Sequence, residues 1–214
     1  MIINRNIDII IGYSSVLSPL VPILIGTGGF FLRPKKHYVI LAVSVASLIT
    51  DLMSRFFISG NNYPLIHLFG FGQALIFAVY FWQVLSAPQL KKTSLYFFVA
   101  YLVYYLLNSS FIENIYSFNT NAFSIQCILM ILFSIIYYYQ MYRDETEIYF
   151  EKIPDFWFVS GILFYFSVAL FSFTMSRQIL NGPLPWLFHN LANTTKYILF
   201  AIGLWRSKPP YIQK

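Results

Sequence analysis

Residues able to do chemistry gather in two apolar stretches. The last stretch, Trp186-Leu-Phe-His189-Asn190-Leu-Ala-Asn193-Thr-Thr-Lys196-Tyr197, runs on to Trp205 and sets a lysine, a histidine and asparagines inside a run long enough to cross a bilayer. In an earlier one, Ser44, Ser47, Asp51 and Arg55 recur every three or four residues, which makes one polar stripe on an otherwise apolar helix. Ionisable groups at such depth are costly and persist where they pair or line a wet cavity. His189, Asn193 and Lys196 share a helix face, and a lysine stem spans several ångströms, so Lys196 reaches Asp51 if the two helices are neighbours. Two chemistries follow. Asp51 and Lys196, joined by Arg55, form an ion pair that fixes helix packing, or the same groups line a pocket for a small polar or anionic ligand.

The elements that position these residues are membrane helices. The 214-residue chain is 58% hydrophobic and only 10% charged, against about 25% charged in soluble domains, and its mean hydropathy is +0.63. Membrane segments and short loops use almost the whole length, which leaves no room for a separate kinase, nucleotide-binding or catalytic domain. The net charge of +6 does not point to nucleic acid, because the basic residues sit beside apolar segments, where they orient the chain. The single cysteine, Cys127, excludes an intrachain disulfide or a thiolate metal cluster.

Seven segments are expected, at about 10–32, 38–59, 64–85, 93–112, 121–142, 154–176 and 185–205. The first could pass for a signal peptide, but its n-region holds only Arg5 and no small-residue cleavage site follows, so it is read as a retained helix. Pro19 and Pro22 remove backbone donors and Gly26, Gly28 and Gly29 follow them, so this helix should be kinked or partly unwound. His67 opens the third segment, which also carries Gly70, Gln73, Ala74 and Ala78; small residues there allow close helix approach. Tyr101, Tyr104, Tyr105 and Asn108 form a second polar stripe in the fourth, with Glu113 beyond it. The charge-rich stretch from Arg143 through Glu145, Glu147, Glu151 and Lys152 to Asp155 reads as a solvated loop.

With seven crossings, alternate loops lie on opposite sides. Arg33, Lys35, Lys36, Lys91, Lys92, Arg143, Lys152, Arg206, Lys208 and Lys214 fall on one side, and only Arg5 and Arg177 on the other. By the positive-inside rule the amino terminus is outside and the carboxyl terminus cytoplasmic. Trp82, Trp157 and Trp205 then fall at inner helix ends and Trp186 at an outer one, as interfacial anchors should. At about 1.5 Å per helical residue, Lys196 lies roughly 16 Å and Asp51 about 11 Å below the outer boundary. His67, Asn108, Glu113 and Arg177 belong to the same half, so the buried polar groups cluster on one side. The expected site is an outward-facing cavity between the second, third, fourth and seventh helices, formed by Asp51, Arg55, His67, Gln73, Asn108, His189, Asn193 and Lys196.

Seven helices, an outside amino terminus and a lysine midway along the last one look like a rhodopsin, in which Lys196 would carry a Schiff-base cofactor. The pattern departs from that family where an aspartate four residues before the lysine is replaced by Ala192 and where the third helix has no carboxylate counter-ion. Sugar-transporter and PQ-loop proteins share the topology, but no Pro-Gln pair occurs and the first and fifth helices do not match. Seven-helix zinc hydrolases need several converging histidines, and only His67 and His189 lie in the outer half. No metal, no cofactor and no catalytic residue are expected.

Asn61-Asn62-Tyr63-Pro64-Leu-Ile-His67, Pro154-Asp-Phe-Trp157-Phe and the last-helix pattern are similar to those of the small seven-helix proteins and sensor modules that accompany bacterial two-component signalling. That resemblance implies a sensory role in a bacterial cytoplasmic membrane. The resulting expectation is an all-α, seven-helix membrane protein without enzymatic activity, receptor-like, which binds a small polar ligand and works through a signalling protein or another membrane subunit. The alternatives are a small-solute transporter and a structural subunit of a membrane complex.

Overall fold

The chain is all-helical in the computed structural model, which describes residues 5–28, 33–144, 149–178 and 184–207, with side chains for 9–28, 33–144, 149–172 and 186–207. Arg5, Arg177, Lys208 and Lys214, used above for orientation, lie outside the described side chains, as do Glu145, Glu147 and Gly29. The helices are α1 (Arg5–Leu17), α2 (Leu20–Thr27), α3 (His37–Leu52), α4 (Tyr63–Val84), α5 (Pro88–Leu107), α6 (Thr120–Arg143), α7 (Pro154–Gln178) and α8 (Leu184–Arg206).

Six stretches are long and apolar enough to cross a membrane: Ile9–Thr27, His37–Phe57, Tyr63–Val84, Pro88–Ile112, Thr120–Arg143 and Pro154–Ser172. Large apolar side chains point out from them, among them Leu24, Ile49, Leu68, Val103, Ile128 and Phe171, a pattern a water-facing surface does not sustain. Helix α8 has 23 residues, or about 34 Å of length. Its histidine, asparagines and lysine leave it less apolar than the other six.

The first stretch breaks where its prolines require. Pro19 has no N–H to donate, and the chain passes from α1 to α2 through Ser18 and Pro19. Two other helices depart from the regular period. Helix α3 ends in a π turn over Met53–Phe57 and α5 in another over Asn108–Ile112, closed by bonds from Ile58 N to Met53 O at 3.1 Å and from Glu113 N to Asn108 O at 2.8 Å. Both lie at the same end of the bundle. Such turns are rare and frequent at functional sites.

Helix α8 is less apolar than those six stretches and is lined by neighbours along its length. It packs along α7 for its length and against α2 and α1, and it meets α3 only lightly. Glycines set the approach to α7. A Cβ at Gly203 would stand 2.4 Å from the Phe158 ring and 2.9 Å from Pro154 O, and one at Gly161 would stand 3.1 Å from Lys196 O. The core between the helices is aromatic, with Phe77, Tyr80, Phe81, Phe98, Phe133, Phe158, Phe166 and Phe200 buried.

Candidate functional site

At the end of the bundle that carries the two π turns lies a cavity of about 220 Å³. Helix α8 supplies Trp186, His189, Asn190 and Asn193, spaced so that all four project from one face. Thr50 and Asp51 come from α3 and Ser54 from its π turn, while Ser15 and Val16 come from α1. The remaining wall is Asn62, Ile66, Phe69 and Gly70 from the start of α4, Phe118 and Asn119 before α6, Phe123 on α6 and Tyr165 on α7.

The cavity lies elsewhere than between α3, α4, α5 and α8 alone. Helix α5 contributes nothing to its wall, because its polar stripe turns toward α4 and α6: Tyr101 donates to Ala122 O at 3.0 Å and Tyr105 to His67 O at 2.8 Å. Helices α1, α6 and α7 take its place. The stripe marked polarity correctly but could not say which neighbour received it.

Lys196 is 1% exposed. It lies one turn deeper along α8 than Asn193 and is not part of the cavity wall. Its ammonium stands 3.9 Å from the Tyr165 ring centre and 4.2 Å from that of Tyr197, so its positive charge rests on the electron-rich faces of two rings. It does not form the expected ion pair with Asp51, since no carboxylate among the described residues lies within 4.0 Å of it. The reason is packing: α8 lies along α7, which carries Tyr165, and touches α3 only lightly. Asp51 instead takes a long hydrogen bond from Ser47 at 3.4 Å.

Arg55 also leaves the expected group. Its guanidinium lies 4.0 Å over the Tyr13 ring on α1, exposed. The 3.6-residue period that would set it above Asp51 fails inside a turn whose hydrogen bonds run from i to i+5.

The other expected residues form a separate network beside the cavity. His67 is hydrogen-bonded to Ser109 Oγ at 3.2 Å, to Ser117 O at 2.9 Å and to Asn119 at 3.3 Å. Asn108 donates to Glu113 at 2.7 Å and to Asn119 Oδ1 at 2.8 Å, and accepts from Tyr104 at 3.3 Å. Gln73 lies deeper and accepts from Gln126 at 3.3 Å. Thus Asp51, His189 and Asn193 line the cavity, His67 and Asn108 brace the wall residue Asn119, and Arg55, Gln73 and Lys196 lie outside the wall. Asn193 ties α8 to α1 by donating to Ser15 Oγ at 3.0 Å. The His189 ring packs against Tyr165 and Trp186, with centres 5.5 and 5.9 Å away.

Asn119 is the residue the sequence hid. It caps α6 by accepting from Ala122 N at 3.3 Å and joins both networks. Its only signal was an asparagine directly before a helix, a position that such residues favour for capping alone.

The opposite end holds a second polar group. Asp155 is buried, contrary to the reading of its stretch as a solvated loop. It pairs with Lys36, accepts from Tyr80 at 3.1 Å and stands 3.6 Å from His37 Nε2. Pro154 starts α7 there, which draws the next residue into the bundle. Beside it lies a cavity of about 230 Å³, whose wall includes Lys36, Ser86, Tyr137, Gln140, Asp144 and Asp155. Arg33 is also buried and binds the carbonyls of Gly26, Ile25 and Leu204 and the Ser207 hydroxyl. It thereby satisfies the carbonyl ends of α2 and α8 together.

No known protein family, characterised protein or solved structure matches the chain.

Proposed function

We propose that this is a receptor-like membrane protein without enzymatic activity, one that binds a small polar ligand from the outer side of a bacterial cytoplasmic membrane and acts through a partner. The carrying observation is the cavity beneath Trp186, where four asparagines, a histidine and a carboxylate converge with aromatic side chains. Small-molecule sites have this build, a mostly apolar wall with a few convergent polar groups.

The reading takes seven crossings, with α1 and α2 together as the first and α8, which is not among the six apolar stretches, as the last. The polar side chains of α8 face the bundle, while Phe188, Leu191, Ile198 and Trp205 are 40%, 45%, 51% and 53% exposed and form its apolar outer face. A helix of that kind spans when its polar face is covered by protein. The side follows from charge. At the cavity end Arg55 is the sole arginine or lysine among the described side chains, whereas Arg33, Lys35, Lys36, Lys91, Lys92, Arg143, Lys152 and Arg206 belong to the other end. The cavity end is therefore the outer one, and the amino terminus lies with it.

A transporter is the second reading, favoured by the cavity beside Asp155 at the inner end. Reconstitution separates the two. The receptor reading expects saturable binding in nanodiscs that Asp51→Asn or Asn193→Leu lowers, with no flux of the bound compound into liposomes; flux lost in the same variants would replace it with transport.

A further inference from the structure

The wall of the outer cavity has a definite charge character. Among the described residues, Asp51 is the only Asp, Glu, Lys or Arg that lines it. The two cations that the sequence placed with it are turned elsewhere, Lys196 onto tyrosine rings and Arg55 onto Tyr13. Within the described residues the Asp51 carboxylate has no ion-pair partner, only the long contact from Ser47. The Lys196 charge acts on it only through space, from outside the wall, and a part-buried carboxylate with no contacting counter-charge is an arrangement that membrane interiors disfavour.

The remainder of the wall suits a cation. Phe69, Phe118, Phe123, Tyr165 and Trp186 surround the space, and aromatic faces attract ammonium groups by their quadrupoles. Tyr165 already holds one such charge, that of Lys196. The volume of about 220 Å³ lies below the roughly 300–1,000 Å³ of sites for drug-sized ligands.

From this wall we infer that the cavity takes a small organic cation, an amine or quaternary ammonium compound, with its charge at Asp51 and its methylene or methyl groups among the rings. The inference rests on the reading of this cavity as the ligand site and narrows it to one chemical class. Asn190 and Asn193 offer amide groups for a hydroxyl on the same molecule.

The test uses the full chain in nanodiscs with Asn190→Cys introduced at the cavity wall. Modification by methyl methanethiosulfonate is timed in the presence of choline, ethanolamine, acetate or 3,3-dimethylbutan-1-ol, the uncharged carbon analogue of choline. Choline or ethanolamine should slow modification at concentrations at least tenfold lower than the uncharged analogue requires, and adding Asp51→Asn should erase that difference. Because the comparison between choline and its analogue needs no second variant, it stands even if Asp51→Asn fails to fold. Protection by the analogue or acetate, but by neither cation, overturns the charge class and leaves the site. No protection by any of the four overturns the site itself and the inference with it.

Discussion

The ammonium of Lys196 lies 3.9 Å over the ring of Tyr165, on the neighbouring helix α7, and makes no ion-pair contact within 4.0 Å with the Asp51 carboxylate. A lysine this deep is held by two aromatic faces and by the close α7–α8 contact around Gly161. That separates the roles of the two charges: Lys196 serves packing, and Asp51 faces the cavity.

A double-mutant cycle reads this separation. Lys196→Met and Tyr165→Leu should couple by about 1–2 kcal/mol, the size of a desolvated cation–π contact. Lys196→Met and Asp51→Asn should couple more weakly than that, as two charges that act on each other through space without an ion-pair contact do. Unfolding in mild detergent measures both, and a larger Asp51 coupling would restore the ion pair.

The glycines of the α7–α8 seam should be sensitive to a single methyl group. Gly203→Ala places a Cβ against the Phe158 ring and the Pro154 carbonyl and should destabilise by about 1–3 kcal/mol. Gly72→Ala is the control, since nothing lies within 4 Å of its Cβ position, and it should be neutral or stabilising by up to about 1 kcal/mol. Equal melting temperatures for the two variants would contradict the seam.

Asn119 should matter more than its exposed surroundings suggest. Asn119→Leu removes the acceptor for Asn108 and Ala122 and the donor to Ser109; stranded buried partners cost about 1–3 kcal/mol. The same change narrows the cavity, so thermal stability and probe binding should fall together, whereas Asn119→Asp, which keeps the acceptor, should recover most of the stability.

At the end of the bundle opposite the cavity, Asp155→Ala should destabilise by about 1–3 kcal/mol, because Tyr80 loses its hydrogen-bond acceptor and Lys36 its partner. Asp144→Ala, at an exposed carboxylate paired with Arg143, should change stability by less than about 1 kcal/mol. Parallel urea or heat unfolding of the two variants ranks them.

The contrast between Asp155 and Asp144 shows where sequence reasoning was sufficient. Helix class, spacing and the broken first crossing were legible because hydropathy and the Pro19–Pro22 pair are local signals. Asp51, His189 and Asn193 could be placed in one half of the bundle by counting along helices. The partners could not. Which helix α5 turns its tyrosines toward, whether Lys196 meets α3 or α7, and how a π turn swings Arg55 away all depend on side-to-side packing, which a single helix period does not encode. Asp155 was missed because a carboxylate next to charged neighbours reads as solvent-facing until α7 is seen to begin at Pro154.

The orientation of the cavity is tested most directly by labelling at Asn190→Cys with a membrane-impermeant maleimide. Cys127, the native cysteine, is fully buried and supplies a low background. Labelling should proceed in right-side-out vesicles and be absent or far slower in inside-out ones. Labelling confined to inside-out vesicles would reverse the topology, and a cysteine inert in both would contradict an open outer cavity.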